Sequence, residues 1–233
     1  MTLNFSLRDF PWLKSEFARA RWMYALGLGY LLIGYLGTNE IAALNPWGRP
    51  SLPIATTFDS VLPFVPWTVI FYVMYYPLLG TPLILASDAI SLTRLTLAQT
   101  AMNTFSYFVF LLFPTRIDRP PAVPVDGVFH YILDSLFRAD HPYNTFPSLH
   151  VAQGCILALF YLKYSARWAF APGVEKPHRA IRENRIAFGV LVFHAVSAIL
   201  IAASAVLIKQ HYLADAAAGA LLAWAMAFIF FRK

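Results

Sequence analysis

Two histidines and an aspartate stand in settings that could carry covalent chemistry. His211 and Asp215 are four residues apart, so on a helix they share one face. The carboxylate can then accept a hydrogen bond from one imidazole nitrogen and leave the other free as a nucleophile. A capping Asp beside an interfacial His is the plainer reading of the same spacing. His150 follows Pro147 and Ser148 at a predicted helix start. Proline suits the first helical position, and the unpaired N–H groups there favour an anion. A His in that first turn can hand a proton to a leaving oxygen, although an interfacial His next to a polar cap would look alike. Arg116, Arg119 and Lys209 add positive charge; Arg forks grip phosphate oxygens bidentately, and Lys acts as a point charge. Snorkelling to a membrane surface is the alternative for these three.

As a set, these residues meet the needs of phosphoryl transfer through a phosphohistidine. The nucleophile is oriented, the leaving group can be protonated, and the charge on the equatorial oxygens is offset. Cations and backbone dipoles can do this without a metal or cofactor, so none is expected.

The elements that must position these residues are apolar helices. Of 233 residues, 59% are hydrophobic and 13% charged, with a mean hydropathy of +0.57. Soluble domains are roughly 45–50% apolar and about 25% charged, so so few charges could not cover a soluble surface. The apolar residues come in long blocks, which predicts an all-α polytopic membrane protein in a single domain over 1–233. Six spans are drawn at 22–38, 66–86, 91–113, 148–165, 186–208 and 212–231, forming one bundle over 22–233. The motifs lie within 114–150 and 204–215. Pro77 and Pro82 should kink the second span. Prolines crowd the segments 46–66 and 114–147, which are read as long irregular loops. Residues 5–21 mix Phe5, Phe10, Trp12, Leu13 and Phe17 with four cations and read as an interfacial amphipathic helix at the N-terminus. The single cysteine, Cys155, excludes an internal disulfide. No cleavable signal peptide is apparent.

Charge bias sets an orientation. Thirteen of the 18 basic residues fall on the side of the two termini, which the positive-inside rule makes cytoplasmic. The chain is expected in the plasma membrane, the inner one in a bacterium. The net charge of +6 reports this orientation and not a nucleic-acid partner. The Arg119, His150 and His211 clusters then all lie at outward span ends and can converge on one pocket. Arg116 and Arg119 stand out there, because that side should be poor in basic residues. Asn103, Tyr107 and His194, within spans, read as helix-packing polar groups, and Asn144 and Thr145 as caps of the fourth span.

The chain resembles the type 2 phosphatidic acid phosphatase superfamily, an integral-membrane group with a six-helix core. Its motifs are Lys-x6-Arg-Pro, Pro-Ser-Gly-His and Ser-Arg-x5-His-x3-Asp. Here Arg119-Pro120 keeps the end of the first, with Leu112 at the Lys position. Pro147-Ser148-Leu149-His150 is the second, with Leu for Gly. Ser204, His211 and Asp215 keep the third, with Ala205 at the Arg position. The resemblance implies that His211 is the nucleophile, Asp215 its orienting partner and His150 the acid, with Arg119 and Ser148 holding phosphate. Arg116 and Lys209 are our substitutes for the two missing cations. FPTR…RP, NTFPSLHVA and KQHY are also similar to the branch that includes inositolphosphoceramide synthase and, more distantly, sphingomyelin synthase.

The expected partners are a lipid phosphate and the surrounding membrane lipids. Hydrolysis of a lipid phosphate or diphosphate is the first reading, and transfer of a phosphorylated headgroup to a lipid alcohol is the alternative. A lipid-binding or transport protein without chemistry, and a metal or redox protein using His150, His194 and His211, complete the set. The segment Thr38–Pro66, with Trp47 and Asp59, is expected to line an acceptor route. Oligomeric state is not encoded in these patterns.

Overall fold

The computed structural model describes residues 15–45, 52, 54–120, 127–169 and 177–232, with side chains described outside 165–184. Among these residues the architecture is all-helical, and the only sheet-like pairings are the isolated bridges Leu52–Thr115 and Arg116–Tyr143.

Helix α1 runs from Glu16 to Leu44. Ser15 starts it, its hydroxyl accepting from the Ala18 N–H at 3.0 Å, and Asn45 ends it in the left-handed region at φ 42°. This is longer than the predicted 22–38. Residues 16–21, predicted as the end of an interfacial helix, are instead the first turns of α1; residues 1–14 lie outside the described residues. Because Thr38–Leu44 are helical, the predicted loop also starts later. Within it, α2 (Thr57–Val61) forms one short turn.

The second predicted span is broken ahead of Pro77, whereas Pro82, also expected to kink it, lies inside a continuous helix over Tyr75–Leu85. A 3₁₀ turn (Pro66–Thr68) leads into α3 (Val69–Val73) and then α4 (Tyr75–Leu85). Pro77 has no N–H to offer the Val73 carbonyl, and α3 ends at Val73. Helix α5 (Ala89–Leu112) is capped by Asp88, which accepts from the Ser91 N–H at 2.8 Å. Helix α6 (Val128–Ala139) corrects the expectation of an irregular loop over 114–147. Phe129, Ile132, Leu133, Leu136 and Phe137 recur at helical spacing, a signal that the neighbouring prolines obscured. Then come α7 (Leu149–Ala169), α8 (Pro177–Leu207) and α9 (Leu213–Phe230).

Helix α7 is central, packing against α8 and α9, while α1 packs along α5. Leu92, Leu95, Met102, Ile156, Phe160 and Tyr164 fill the main core. Polar groups inside it are satisfied across helices. Gln153 links α7 to α5, accepting from Gln99 at 2.6 Å and donating to Asn103 at 2.8 Å. Tyr107 donates to the Leu31 carbonyl at 2.7 Å, and His194 Nε2 pairs with Thr81 at 3.0 Å. These three polar residues therefore do pack helices together. Ile33, Ile84, Ile199 and Leu221 face outward and are exposed, which suits a hydrocarbon solvent. Among the described residues, four stretches are long and apolar enough to cross a membrane: Pro66–Leu85, Ala89–Leu112, Arg185–Leu207 and Leu213–Phe230. The apolar part of α7, Leu149–Tyr164, is shorter, and α1 carries Thr38, Asn39 and Glu40 in its last turns.

Candidate active site

His211 sits in the tight turn between α8 and α9. Lys209 takes a left-handed φ of 55° there, and the N–H groups of Gln210 and His211 both donate to the Ala205 carbonyl at 3.0 Å. This closes α8 in one turn and points the next helix back. Asp215, in the first turn of α9, accepts from the Tyr212 N–H at 2.8 Å. Its Oδ2 also lies 3.5 Å from His211 Nδ1, but the shorter contact of that nitrogen is the Thr145 carbonyl at 3.0 Å. A carbonyl can only accept, so Nδ1 carries a proton, and in the neutral ring Nε2 is then the nitrogen with the lone pair.

His150 is placed by the start of α7. The Ser148 hydroxyl accepts from the Val151 N–H at 3.3 Å, so Ser148 is the cap. Asn144 and Thr145, predicted for that role, instead bond to Thr38 at 2.9 Å and Thr115 at 2.7 Å. Asn144 is left-handed at φ 57°, which turns its side chain away from the helix end. The Ser148 N–H donates to the Asp215 carbonyl at 3.0 Å. A Cβ on Gly219 would stand 2.4 Å from the Ser148 carbonyl oxygen, so only glycine lets α7 and α9 touch here. That contact sets the His150 and His211 rings 6.0 Å apart, centroid to centroid. His150 Nδ1 pairs with the Tyr72 hydroxyl at 3.0 Å, and the two rings stack at 4.2 Å.

Arg119 reaches the same region from the segment after α5. That segment pairs with the 141–146 loop through Ile117 N–H to Pro142 O at 3.0 Å. The guanidinium donates to the Asp140 carbonyl at 2.6 Å, the Phe137 carbonyl at 3.3 Å and Gln210 Oε1 at 2.6 Å. Its Nη2 lies 3.8 Å from the Asp140 carboxylate, which also accepts from Tyr35 at 2.8 Å. Burial pushes the Asp140 carboxyl above the usual carboxylate range, against the opposing pull of Arg119 and Tyr35. Burial holds Arg119 below its ordinary value, with Asp140 opposing.

Arg119, Ser148, His150, His211 and Asp215 are thus gathered at one end of the bundle. Lys209 and Arg116 are not turned into that cluster. Lys209 Nζ donates to the carbonyls of Leu62 at 2.8 Å and Asp59 at 3.2 Å. Arg116 is exposed beside Tyr143. Asp59 does not line a route either: its carboxylate accepts from the Thr56 hydroxyl, the Thr56 N–H and the Leu213 N–H, which pins the 56–65 segment to the start of α9. Trp47 lies outside the described residues. Tyr72, Thr145 and Gln210 were missed, since a tyrosine partner 78 residues away and a backbone carbonyl leave no local signal.

Buried polar atoms are normally paired. Among the described residues, the exceptions include the donors Arg119 Nε and Gln210 Nε2 within this one cluster, together with His150 Nε2, whose role follows the ring's tautomer, and Asp215 Oδ1. Two unpaired buried donors beside the imidazoles of His150 and His211 are groups that could meet the oxygens of an anion.

The fold is all-helical with long apolar helices, and two histidines, an arginine and an aspartate meet at one end of it. A family profile for the PAP2 superfamily matches residues 92–233, and the chain belongs to that superfamily. Its members are phosphoesterases or phosphotransferases. No curated protein and no solved structure matches the chain.

Proposed function

We propose that the protein is a metal-independent lipid phosphatase working through a phosphohistidine. The observation that carries this reading is the pair of unpartnered buried donors, Arg119 Nε and Gln210 Nε2, beside the His150 and His211 rings. In the first step, His211 Nε2 forms a bond to phosphorus as the bond to the lipid oxygen breaks. Protonated His150 gives that oxygen its Nε2 proton, while Tyr72 accepts from Nδ1. Water then attacks phosphorus, the P–N bond breaks, and the water proton goes to His150.

Arg119 Nε, Gln210 and the α7 N-terminus at Ser148 offset the charge of the transferring group. Asp215 and the Thr145 carbonyl hold His211 in the reactive tautomer. Lys209 serves by anchoring the 56–65 segment, and Arg116 stays at the rim. In this reading α1, the 66–85 unit, α5, α7, α8 and α9 are six spans, with cytoplasmic termini and an outward-facing site in the plasma membrane. A second reading, transfer to a lipid alcohol as in the inositolphosphoceramide synthase branch, draws support from the apolar cavity that His150 also lines.

His211→Ala tests the mechanism. It should abolish phosphate release from a short-chain lipid phosphate, assayed with EDTA present, while melting like the wild type. Undiminished turnover in a folded variant would remove the proposal. Measuring free phosphate against phosphorylated lipid product separates the two readings.

A further inference from the structure

At the end of the bundle away from His150 and His211, α7 and α9 flank a groove of about 400 Å³. Leu159, Leu162 and Lys163 of α7 form one wall, and Trp224, Phe228 and Arg232 at the end of α9 form the other. From Leu149 to Lys163, and from Leu213 to Phe228, the helices rise by roughly 20 Å at 1.5 Å per residue. The groove therefore belongs to the leaflet opposite the site, which is cytoplasmic in the proposed orientation. Leu162, Trp224 and Phe228 are exposed, and the two aromatic rings stack at 5.7 Å.

The Arg232 guanidinium lies over the Phe228 ring, 3.5 Å from its centroid. A snorkelling arginine extends away from apolar surface into water. This one folds back along α9 and stays at the groove. Its backbone is fixed from two sides: Arg94 Nη1 donates to the Arg232 carbonyl at 2.7 Å, and the Phe231 ring meets Phe160 and Tyr164. Lys163 is exposed on the facing wall. Among the described residues, neither Lys163 nor Arg232 has a carboxylate partner. Two uncompensated cations at the end of an apolar groove between helices complement a negative headgroup that carries acyl chains. We infer that this groove is a binding site for an anionic glycerophospholipid, its phosphate between Lys163 and Arg232 and an acyl chain along Trp224 and Phe228. The lipid is a ligand apart from the chemistry. It joins the far ends of α7 and α9, the helices that meet at Ser148 and Gly219.

Trp224 provides the readout. The full chain is placed in vesicles of equal parts phosphatidylglycerol and phosphatidylcholine, with brominated acyl chains on one lipid or the other. Bromine quenches an indole in contact with it, and the fluorescence that Trp224→Phe removes is the part that reports the groove. Quenching of that part should be stronger when phosphatidylglycerol carries the bromine. The selectivity should reach up to about 30-fold, from about five-fold for each cation near the headgroup. Lys163→Gln combined with Arg232→Gln, measured with and without Trp224→Phe, should abolish the selectivity. Arg232→Lys keeps the charge and should keep most of it. Arg138→Gln removes a cation at the other end of the bundle and should leave it unchanged. Equal quenching by the two brominated lipids in the wild type overturns the inference, as does a selectivity that survives in the double glutamine variant. Inorganic phosphate should not reduce the selectivity; if it does, the groove holds a soluble anion and the lipid assignment falls. His211→Ala should keep the selectivity whether or not it turns over substrate, so the phosphohistidine reading is tested separately.

Discussion

His211 Nδ1 lies 3.0 Å from the Thr145 carbonyl oxygen and 3.5 Å from Asp215 Oδ2. Nδ1 of this imidazole therefore faces two acceptors, and the nearer one is backbone. In a Ser-His-Asp triad, changing the Asp to Asn costs about 10⁴ in rate because the imidazole is left in the wrong tautomer. Here the carbonyl still demands Nδ1–H after such a change. Asp215→Asn should lower kcat by about 10² or less, well short of the loss in His211→Ala. A loss as complete as that of His211→Ala would show that the carbonyl contributes nothing to orientation.

Tyr72 touches His150 in two ways, by a hydrogen bond of 3.0 Å to Nδ1 and by ring stacking at 4.2 Å. Tyr72→Phe keeps the stacking and removes the hydroxyl. If His150 serves the leaving group, the variant should lose about ten-fold or more in kcat on alkyl phosphates, the lower range for proton-transfer catalysis. An aryl phosphate, whose leaving group needs little help, should be turned over at close to the wild-type rate. Equal losses on both substrates would place Tyr72 in packing alone.

Gly219 faces the Ser148 carbonyl, 2.4 Å from where a Cβ would stand, with the Ala152 nitrogen at 3.3 Å. Both neighbours are backbone, so neither can rotate away. Gly219→Ala should force α7 and α9 apart and cost about 1–3 kcal/mol, as overpacking does. The melting temperature should drop, and kcat should fall with it because the same contact sets the spacing of His150 and His211. An alanine variant that melts and turns over like the wild type would disprove this account of the helix contact.

The helices were legible because a hydrocarbon solvent demands long apolar runs, and α5, α8 and α9 begin or end within a few residues of the predicted bounds or extend them. The broken 66–85 unit was legible too, since Pro77 removes a specific donor. Helix α6 was not, because the flanking prolines mask the helical spacing of its five apolar positions. In the site, the side chains of the motifs were legible by type and topology. What surrounds them was not. Thr145 touches His211 through its carbonyl, which any residue would supply, and Tyr72 and Asp140 reach the cluster only once α3 is packed on α8 and α6 on α3. Lys209 shows the converse. Its charge and position suggested a phosphate ligand, but the left-handed turn directs it onto the carbonyls of Asp59 and Leu62.

Asp59 gives a pH dependence whose sign follows from its contacts. Burial tends to raise its pKa, but hydrogen bonds from the Thr56 hydroxyl, the Leu213 N–H and the Thr56 N–H outweigh this and hold it below the usual 3.8. A carboxyl lowered on folding adds stability that is fully present above its unfolded value and is lost as pH falls through the folded one. Wild-type protein should therefore lose part of its thermal stability below about pH 4, with the α8–α9 turn loosening as the carboxyl is protonated. Asp59→Asn puts an amide N–H group where Oδ2 accepted from Thr56, so two donors face each other. That variant should melt lower at pH 7, by an amount corresponding to about 1.5–3 kcal/mol, the range for hydrogen bonds to charged groups. Its melting temperature should then change less between pH 6 and pH 3 than the wild type's. Differential scanning fluorimetry in detergent across that range reads both effects, and parallel wild-type and Asp59→Asn curves would rule out Asp59 as the group responsible.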